Sequence, residues 1–279
     1  MNMKVGIVCM AKQENLYIQE WVDWHLSLGF DNIIIVDNNS KDGERVSDVI
    51  CDERVIIETD YIGVVGMLQT KVYTEMYEKY HNMFDWILFI DVDEFLHLDE
   101  KFNNVKDFLN DDIFSGAEII RICWKIYNAG GMLDTDGDYN VQERFKDCGV
   151  DHSQNKCAKS FINTAIKLDG RKIHGHGIYD NTLDARDSTG KKCLNTTPIL
   201  SIIVHENAYL AHYITKTMGE FVRQKMFRGG INNNPQRYNN KLRYFFLYNR
   251  DTKEMREYGM WMIENRNKST AVVYTKQND

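Results

Sequence analysis

The sequence predicts an α/β fold in which helices flank a mostly parallel sheet. Four short apolar segments in the first hundred residues have the length of strands, and helix-like stretches separate them. Their apolar residues are nearly continuous rather than alternating, which is typical of strands buried on both faces. Strands and helices that alternate in this way indicate βαβ units. The predicted strands are residues 5–9, 32–36, 54–58 and 86–90.

The first predicted helix lies between the first two strands. Tyr17, Trp21, Trp24 and Leu28 follow one another at spacings of four, three and four, so they share one helical face. Gly29 can end this helix because glycine readily adopts the left-handed conformation that follows many helices. Residues 67–83 are predicted to form a second helix, between the third and fourth strands.

The chain after residue 110 has a less regular pattern. It contains two strand candidates, a helix candidate and a stretch rich in glycine and aspartate. We expect one domain over residues 1–230, with a regular half (1–100) and an irregular half (101–230), and a C-terminal extension over 231–279. The strand candidates are 117–123 and 199–204, the helix candidate is 217–227, and the glycine-rich stretch is 128–138.

Composition excludes several classes of protein. The chain has 279 residues, 43% of them hydrophobic and 27% charged, which suits a folded globular protein. A net charge of −7 argues against a nucleic-acid-binding surface. The first residues lack the long apolar stretch of a secretory signal, and no run approaches the roughly 18 apolar residues that span a bilayer. We therefore expect a cytoplasmic protein that does not bind nucleic acid.

Polar residues follow each of the first four predicted strands. In parallel sheets, ligands bind at the carboxyl ends of the strands, so these residues are expected to meet at one edge. The group includes Lys12 and Glu14 after the first strand and Asp37 and Asn38 after the second. Asp37 could bond a base or a ribose, although Ser40 or Asp42 could equally act as a helix N-cap in the same loop.

Asp91-Val92-Asp93 ends the fourth apolar strand. In an extended chain the two aspartates point to the same side. Two such carboxylates can bind Mg²⁺ or Mn²⁺, and the ion can take further oxygen ligands from a diphosphate. The alternative is a solvated acidic turn. The position at the end of a buried strand favours the metal site.

Several motifs resemble those of glycosyltransferases. The loop at 36–43 is similar to the D-x-x-S-x-D loop of family 2-like glycosyltransferases, and residues 85–95 resemble the DW…D-x-D-E-F segment of family 92-like enzymes. Residues 20–31 and 212–229 resemble the first helix and the H-Y-x-x-K-[ST]-x-E-F tail of the same group. The residues concerned are Glu20, Trp21, His25, Gly29, Phe30, Asp31, His212, Tyr213, Lys216, Thr217, Glu220, Phe221, Lys225, Arg228 and Gly229.

This resemblance implies a GT-A (Rossmann-like) fold and transfer of a sugar from a UDP- or other nucleotide-linked donor, with inversion. It implies that Asp37 contacts the nucleoside, that Asp93 binds Mn²⁺ or Mg²⁺, and that Asp91 contacts the ribose or the metal. Residues 1–100 would bind the nucleotide sugar, and residues 101–230 would face the acceptor. The acceptor would be a glycan or a lipid-linked glycan, as in polysaccharide biosynthesis.

Three residues downstream are candidates for the same donor site. His212 could complete the metal shell, and Lys216 and Lys225 could meet the diphosphate. The alternatives are that His212 packs against a strand, with His205 as the ligand, and that the lysines lie on a solvated helix face.

An inverting transferase needs a carboxylate that takes the proton of the acceptor hydroxyl. Asp180 and Glu143 are the first candidates and Asp151 is a third, while each can equally be structural. Trp124 and Tyr127 could stack on a sugar or pack in the core.

Two other functions compete with this interpretation. A sugar nucleotidyltransferase needs a glycine-rich loop after its first strand, but residues 9–15 contain no glycine. A non-catalytic module of the same fold would bind sugar or nucleotide without transferring it. The aromatic segment 242–248 could either close the core or contact a membrane peripherally, at its inner face.

Overall fold

The computed structural model describes residues 3–38, 40, 43–62, 69–147, 152–228 and 238–265, with the side chains of 228 and 238–241 left aside. It confirms the predicted α/β class. Within these residues, a nine-stranded, mostly parallel sheet is accompanied by helices, an arrangement compatible with a GT-A-like fold.

The four predicted early strands are all present. The strands are β1 (Val5–Ala11), β2 (Asn32–Asp37), β3 (Val55–Glu58), β4 (Trp86–Phe89), β5 (Glu94–Leu98), β6 (Ile119–Ile126), β7 (Ala158–Asn163), β8 (Ala185–Asp187) and β9 (Ala208–His212). Their order in the sheet is β3-β2-β1-β4-β7-β6-β9-β5, and β8 pairs with β6. Strands β7 and β5 run antiparallel to their neighbours, and the other neighbouring pairs are parallel.

The two early helices also form where the sequence predicts them. The first ends just before Gly29, which has a φ of +92°. The second begins at Gln69, and the predicted residues 67 and 68 lie outside the described part of the chain. A 3₁₀ turn over His81–Met83 extends it. The helices are α1 (Ile18–Ser27), α2 (Gln69–Tyr80), α3 (Val105–Leu109), α4 (Val141–Arg144), α5 (Met218–Glu220), α6 (Tyr238–Phe246) and α7 (Lys253–Glu264).

Helix α1 is fastened to strand β5 by buried polar contacts. The indole of Trp21 donates to the backbone oxygen of Glu94 at 2.7 Å. His25 uses both ring nitrogens: Nδ1 lies 2.8 Å from the Trp21 oxygen, and Nε2 accepts from the Leu96 amide at 3.2 Å. A ring that donates at Nδ1 and accepts at Nε2 is neutral. Burial accordingly lowers the pKa of His25 to about 3.

We expect His25 to make the folded state less stable in mild acid. An unfolded chain binds a proton at His25 below about pH 6.5, whereas the folded chain does not until about pH 3. The unfolded state therefore binds more protons in this window, and the free energy of unfolding falls with decreasing pH by up to about 1.4 kcal/mol per unit. Urea unfolding at pH 7.0 and 5.0 measures the effect. His25→Asn should fall less steeply than wild type, and equal slopes would contradict the prediction.

The predicted strand at 199–204 is wrong. The segment bends and touches the sheet through an isolated bridge between Ile199 and Cys157. Leu200 and Val204 are buried against the sheet, while Ile199 and Ile202 expose 53% and 59% of their surface. The loop before this segment is held from inside the protein, because the Arg121 guanidinium donates to the backbone oxygens at 194 and 197. Burial does not alternate along this segment, and the bend at residues 201 and 202 separates the two buried side chains.

Contacts divide the chain into two compact units. One joins Met1–Ile126 to Val150–His212 and contains the sheet, and the other joins Tyr127–Gly149 to Tyr213–Asp279. This division does not follow the predicted boundaries at 100 and 230, which stay a prediction.

The second unit contains helices α4 to α7 around its own apolar core. The predicted helix at 217–227 is present as α5 followed by a π-helical stretch over Phe221–Arg228. The glycine-rich stretch at 128–138 contains neither helix nor strand. The buried core residues of this unit are Ala129, Met218, Phe221, Val222, Met226, Phe245, Met255 and Met262.

Among the described residues, we find no helix long and apolar enough to cross a membrane.

Candidate donor site at the carboxyl ends of the strands

The loops that follow β1 and β2 are tied together at the carboxyl edge of the sheet. The Asn38 amide donates to the Ala11 oxygen at 2.7 Å, and the Gln13 amide donates to Ser40 Oγ at 3.1 Å. Gln13 turns the chain with a φ of +53°. Four predicted site residues, which are Lys12, Glu14, Asp37 and Asn38, therefore follow or end adjacent strands at this edge.

Asp37 organises the loop that it begins. Its side chain is fully buried, and its carboxylate accepts from the amides of Ser40 at 3.3 Å and Val46 at 3.0 Å. The loop thus closes around the carboxylate. The predicted contact of Asp37 with a nucleoside stays a prediction, and residues 39, 41 and 42 of the loop lie outside the described part of the chain.

The Asp91 carboxylate is held from two sides. Gln69 Nε2, at the start of α2, donates to Oδ1 at 2.9 Å. Lys159 Nζ, on β7, donates to Oδ2 at 2.6 Å. Burial is the largest single effect and raises the pKa of Asp91. The charge and the hydrogen bond of Lys159 act in the opposite direction, and the net result is a pKa below the usual value. The side chain still exposes 39% of its surface, so a ligand can reach it.

Glu94 lies next to Asp91 and Lys159 and is fully buried. Its Oε2 accepts from the Asp91 amide at 2.8 Å and lies 3.4 Å from Lys159 Nζ. Its Oε1 has no hydrogen-bond partner among the described residues. Burial raises the pKa of Glu94 to about 8, and the charges of Asp91 and Asp93 act in the same direction although Lys159 opposes them. The pKa values of these two neighbouring acids are therefore shifted in opposite directions.

Asp93 lies beside His212, the last residue of the neighbouring strand β9. Strands β5 and β9 pair with Glu94 opposite His212, and this register leaves the His212 Nε2 atom 3.5 Å from Asp93 Oδ1. The His212 ring packs on Trp124, with ring centroids 4.4 Å apart. Two ligand atoms of one cation lie roughly 3 to 3.5 Å apart when each is about 2.1 Å from it, so the pair has a suitable spacing.

A cation at this pair would need further ligands. Within the described ranges, no group of three or more histidine, cysteine or acidic side chains is arranged to hold a metal ion. Mg²⁺ characteristically keeps several waters and takes phosphate oxygens beside one or two carboxylates. The donor set of Asp93 and His212 therefore fits an ion that is completed by a bound diphosphate and water.

Sequence reasoning missed Lys159, Gln69 and the role of Glu94. Lys159 is only 1% exposed, and its strand was not predicted because lysine, serine and asparagine interrupt a short apolar run. A lone lysine between Ala158 and the apolar residues 161–162 is the signal that could have indicated a buried charge with a buried partner.

The other histidines near this edge bond to backbone. His176 Nδ1 lies 3.0 Å from the Ala158 oxygen, and burial, aided by the charge of Lys159, lowers the pKa of His176 to about 4. His205 Nε2 lies 2.7 Å from the Trp124 oxygen. The described geometry thus brings His212, and not His205, next to Asp93.

The two candidate bases have different surroundings. Asp180 pairs with Arg171 at 2.5 Å and accepts hydrogen bonds from the amide and hydroxyl of Thr182. The hydrogen bond from Arg171 has the largest effect, and together these bonds lower the pKa of Asp180 to about 2. A carboxylate held in this way is a weak proton acceptor. Glu143 is exposed on α4, in the second unit. The third candidate, Asp151, lies outside the described residues.

Lys216 and Lys225 belong to the second unit. Lys216 is buried with a φ of +54°, and Lys225 lies partly exposed in the π-helical stretch. Their predicted contact with a diphosphate stays a prediction.

No family model matches the chain. Two curated proteins show weak homology to it, and both are named glycosyltransferase family 92 proteins. One, from Ricinus communis, is 26% identical over 129 residues, which is 45% of this chain and 23% of the relative. The other, from Oryza sativa subsp. japonica, is 32% identical over 92 residues, which is 32% of this chain and 16% of the relative. The matched part spans less than a quarter of either relative.

A solved structure with some likeness is the mannosyltransferase PcManGT from Pyrobaculum calidifontis, in complex with GDP-Man and Mn²⁺. It is 14% identical, and the match covers 44% of this chain and 36% of that one with a TM-score of 0.28. This score is too low to transfer a ligand or a function. The resemblance to family 92 is therefore confirmed as weak homology, while the correspondence of individual motifs stays a prediction.

Proposed function

We propose that this chain is a metal-dependent glycosyltransferase, which moves a sugar from a UDP- or other nucleotide-linked donor to a glycan or lipid-linked glycan with inversion. The observation that carries the proposal is the pairing of Asp93 with His212 beside a lysine-bound Asp91, at the carboxyl end of β4. The weak homology to proteins named as glycosyltransferases supports sugar transfer in general.

In this proposal, Asp93 and His212 hold Mn²⁺ or Mg²⁺, and Asp91 faces the ribose or the metal shell. The ion, when bound, neutralises the diphosphate and so eases the departure of the nucleoside diphosphate. Asp91 is ionised and partly exposed, so one of its oxygens can accept a hydrogen bond from a ribose hydroxyl. Lys12, Glu14, Asp37 and Asn38 form the nucleotide end of the site, and Lys216 and Lys225 serve the diphosphate.

The proton of the acceptor hydroxyl needs a carboxylate that is free to take it. Asp180 is already bound by Arg171 and Thr182, which leaves it poorly suited to this role. We therefore place Glu143 ahead of Asp180 as the base.

A non-catalytic nucleotide- or sugar-binding module is the second candidate. The observation in its favour is that Lys159 already neutralises one of the two aspartates, and that the described residues contain no three-ligand metal group. Such a module would bind a nucleotide sugar equally well with and without metal and would never release nucleoside diphosphate.

Calorimetry with UDP-, GDP- and dTDP-sugars, each with and without Mn²⁺, tests the proposal. We expect one donor to bind, and to bind much more tightly with Mn²⁺, because the diphosphate supplies the missing metal ligands. Incubation of that donor should then release nucleoside diphosphate. The Asp99→Asn variant, which changes an exposed aspartate just beyond β5, serves as the control and should behave like wild type. No binding by any donor would refute the proposal, and binding without metal or turnover would favour the module.

A further inference from the structure

We propose that Lys159 is a positioning residue that fixes the Asp91 carboxylate for the donor and keeps the cation away from it. This inference rests on the proposed function and deepens it. It concerns a buried lysine that no recognised motif contains.

The ammonium group of Lys159 is fixed by three acceptors. It donates to Asp91 Oδ2 at 2.6 Å and to the Gly175 backbone oxygen at 2.7 Å, and it lies 3.4 Å from Glu94 Oε2. The contacts with Asp91 and Gly175 are hydrogen bonds, and the contact with Glu94 is an ion-pair contact. The side chain is 1% exposed, and water cannot replace these partners.

The second oxygen of Asp91 accepts a hydrogen bond from Gln69. Gly175, which accepts from Lys159, also lies close to the Gln69 side chain. A Cβ atom at Gly175 would lie 2.4 Å from Gln69 Oε1. The backbone at 175 thus accepts from Lys159 and leaves room for the Gln69 amide that donates to Asp91 Oδ1. Donors from α2 and β7 therefore set the orientation of the Asp91 carboxylate before any ligand arrives.

Lys159 also sets the charge of the site. Asp91 and Asp93 lie within four residues of the end of β4, and a cation attracted to them could use Asp91 as readily as Asp93. The lysine charge, 2.6 Å from Asp91, repels a metal ion from that carboxylate. Asp93 lies instead beside His212, and a neutral imidazole is a common metal ligand.

An ordinary buried ion pair would stabilise the fold without this division of roles, and the two explanations differ in the sign of one effect. If Lys159 only supports the fold, its loss loosens the site, and both Mn²⁺ and donor bind more weakly. If Lys159 keeps the cation away from Asp91, its loss strengthens the binding of Mn²⁺ alone while it impairs turnover of the donor.

Lys159→Met keeps the length of the side chain and removes the charge. We expect the variant to bind Mn²⁺ alone about tenfold more tightly, measured by electron paramagnetic resonance, because a repelling charge is gone. Release of nucleoside diphosphate from the donor found by calorimetry should fall about tenfold or more, because Asp91 is no longer aligned. Lys159→Arg retains the charge and should restore Mn²⁺ affinity toward the wild-type value. Lys79→Met, which removes the half-exposed lysine partner of buried Glu58, is the control.

Weaker Mn²⁺ binding by a folded Lys159→Met protein, or unchanged turnover, would overturn the inference. If that variant does not fold by circular dichroism, Gln69→Leu gives a second test because it frees Asp91 Oδ1 without changing the charge. Its turnover should fall while Mn²⁺ affinity stays as in wild type, and unchanged turnover would overturn the inference. Failure of the proposed function is distinct, since wild-type protein would then show neither Mn²⁺-dependent donor binding nor turnover of any donor.

Discussion

Replacing Asp93 by alanine should reduce the metal-dependent release of nucleoside diphosphate by about a thousandfold. The Asp93 carboxylate lies 3.5 Å from His212 Nε2, and the two side chains together supply the protein ligands of the proposed cation. Without the carboxylate, the ion that stabilises the departing diphosphate is lost, and losses of about 10²- to 10³-fold are typical when one such group is removed. The measurement is the initial rate of nucleoside diphosphate release at saturating Mn²⁺.

Two further variants accompany this test: His212→Ala removes the other proposed ligand, and Asp99→Asn is the control. The histidine variant should lose activity in the same direction, because it removes the second ligand from the same ion. Asp99 follows the other end of β5, so its replacement by asparagine should leave the rate unchanged. Activity of Asp93→Ala above a tenth of the wild-type rate would show that the aspartate does not serve the reaction.

Glu220→Ala should lower the free energy of unfolding by about 3 kcal/mol. Glu220 is 2% exposed and accepts from both terminal nitrogens of Arg144, at 2.7 and 3.1 Å. It also accepts from the hydroxyl and amide of Thr217, as the second half of a capping box at the start of α5. Removing one partner of a buried pair leaves the other charge uncompensated, which typically costs about 3 to 5 kcal/mol.

Urea unfolding of the variant provides the measurement, and Glu257→Ala provides the control. Glu257 pairs with Lys253 on the surface of α7, where an ion pair contributes little, so its loss should barely shift the midpoint. Combining Glu220→Ala with Arg144→Ala should restore part of the stability, because the double variant also removes the Arg144 guanidinium that loses its partner in Glu220→Ala. A loss below about 1 kcal/mol for Glu220→Ala would contradict this account of a buried pair.

The same contacts give a structural reason for the H-Y-x-x-K-[ST]-x-E-F pattern. Thr217 and Glu220 cap a helix in this structure, and Phe221 packs in the core of the second unit. A motif that looks functional in the sequence therefore contains residues whose described roles are structural. Sequence reasoning could not separate these roles, because capping boxes and ligand sites use the same polar residue types.

The first four strands and two helices were predictable because their patterns are local. An apolar run of strand length, or apolar residues three and four apart, specifies its element without distant partners. The position of the polar residues at one edge of the sheet followed from the rule that parallel strands present their carboxyl ends at the same edge. The acidic motif at Asp91 and Asp93 was recognisable for the same reason.

The contacts inside the site were not predictable, because they depend on pairings between distant segments. Lys159 reaches Asp91 because β7 lies between β4 and β6, and His212 reaches Asp93 because β9 pairs with β5. Strand neighbours and register of this kind are not written in local periodicity. The wrong strand at 199–204 has the same origin, since Arg121 fixes the preceding loop from a strand more than seventy residues away.

Anomalous diffraction from crystals soaked with Mn²⁺ and the nucleoside diphosphate of the preferred donor would locate the cation. We expect one manganese peak within bonding distance of Asp93 and His212 Nε2, with diphosphate oxygens completing its coordination and the Lys159–Asp91 pair intact. A manganese ion bound elsewhere, or a diphosphate bound at this edge without metal, would contradict this expectation.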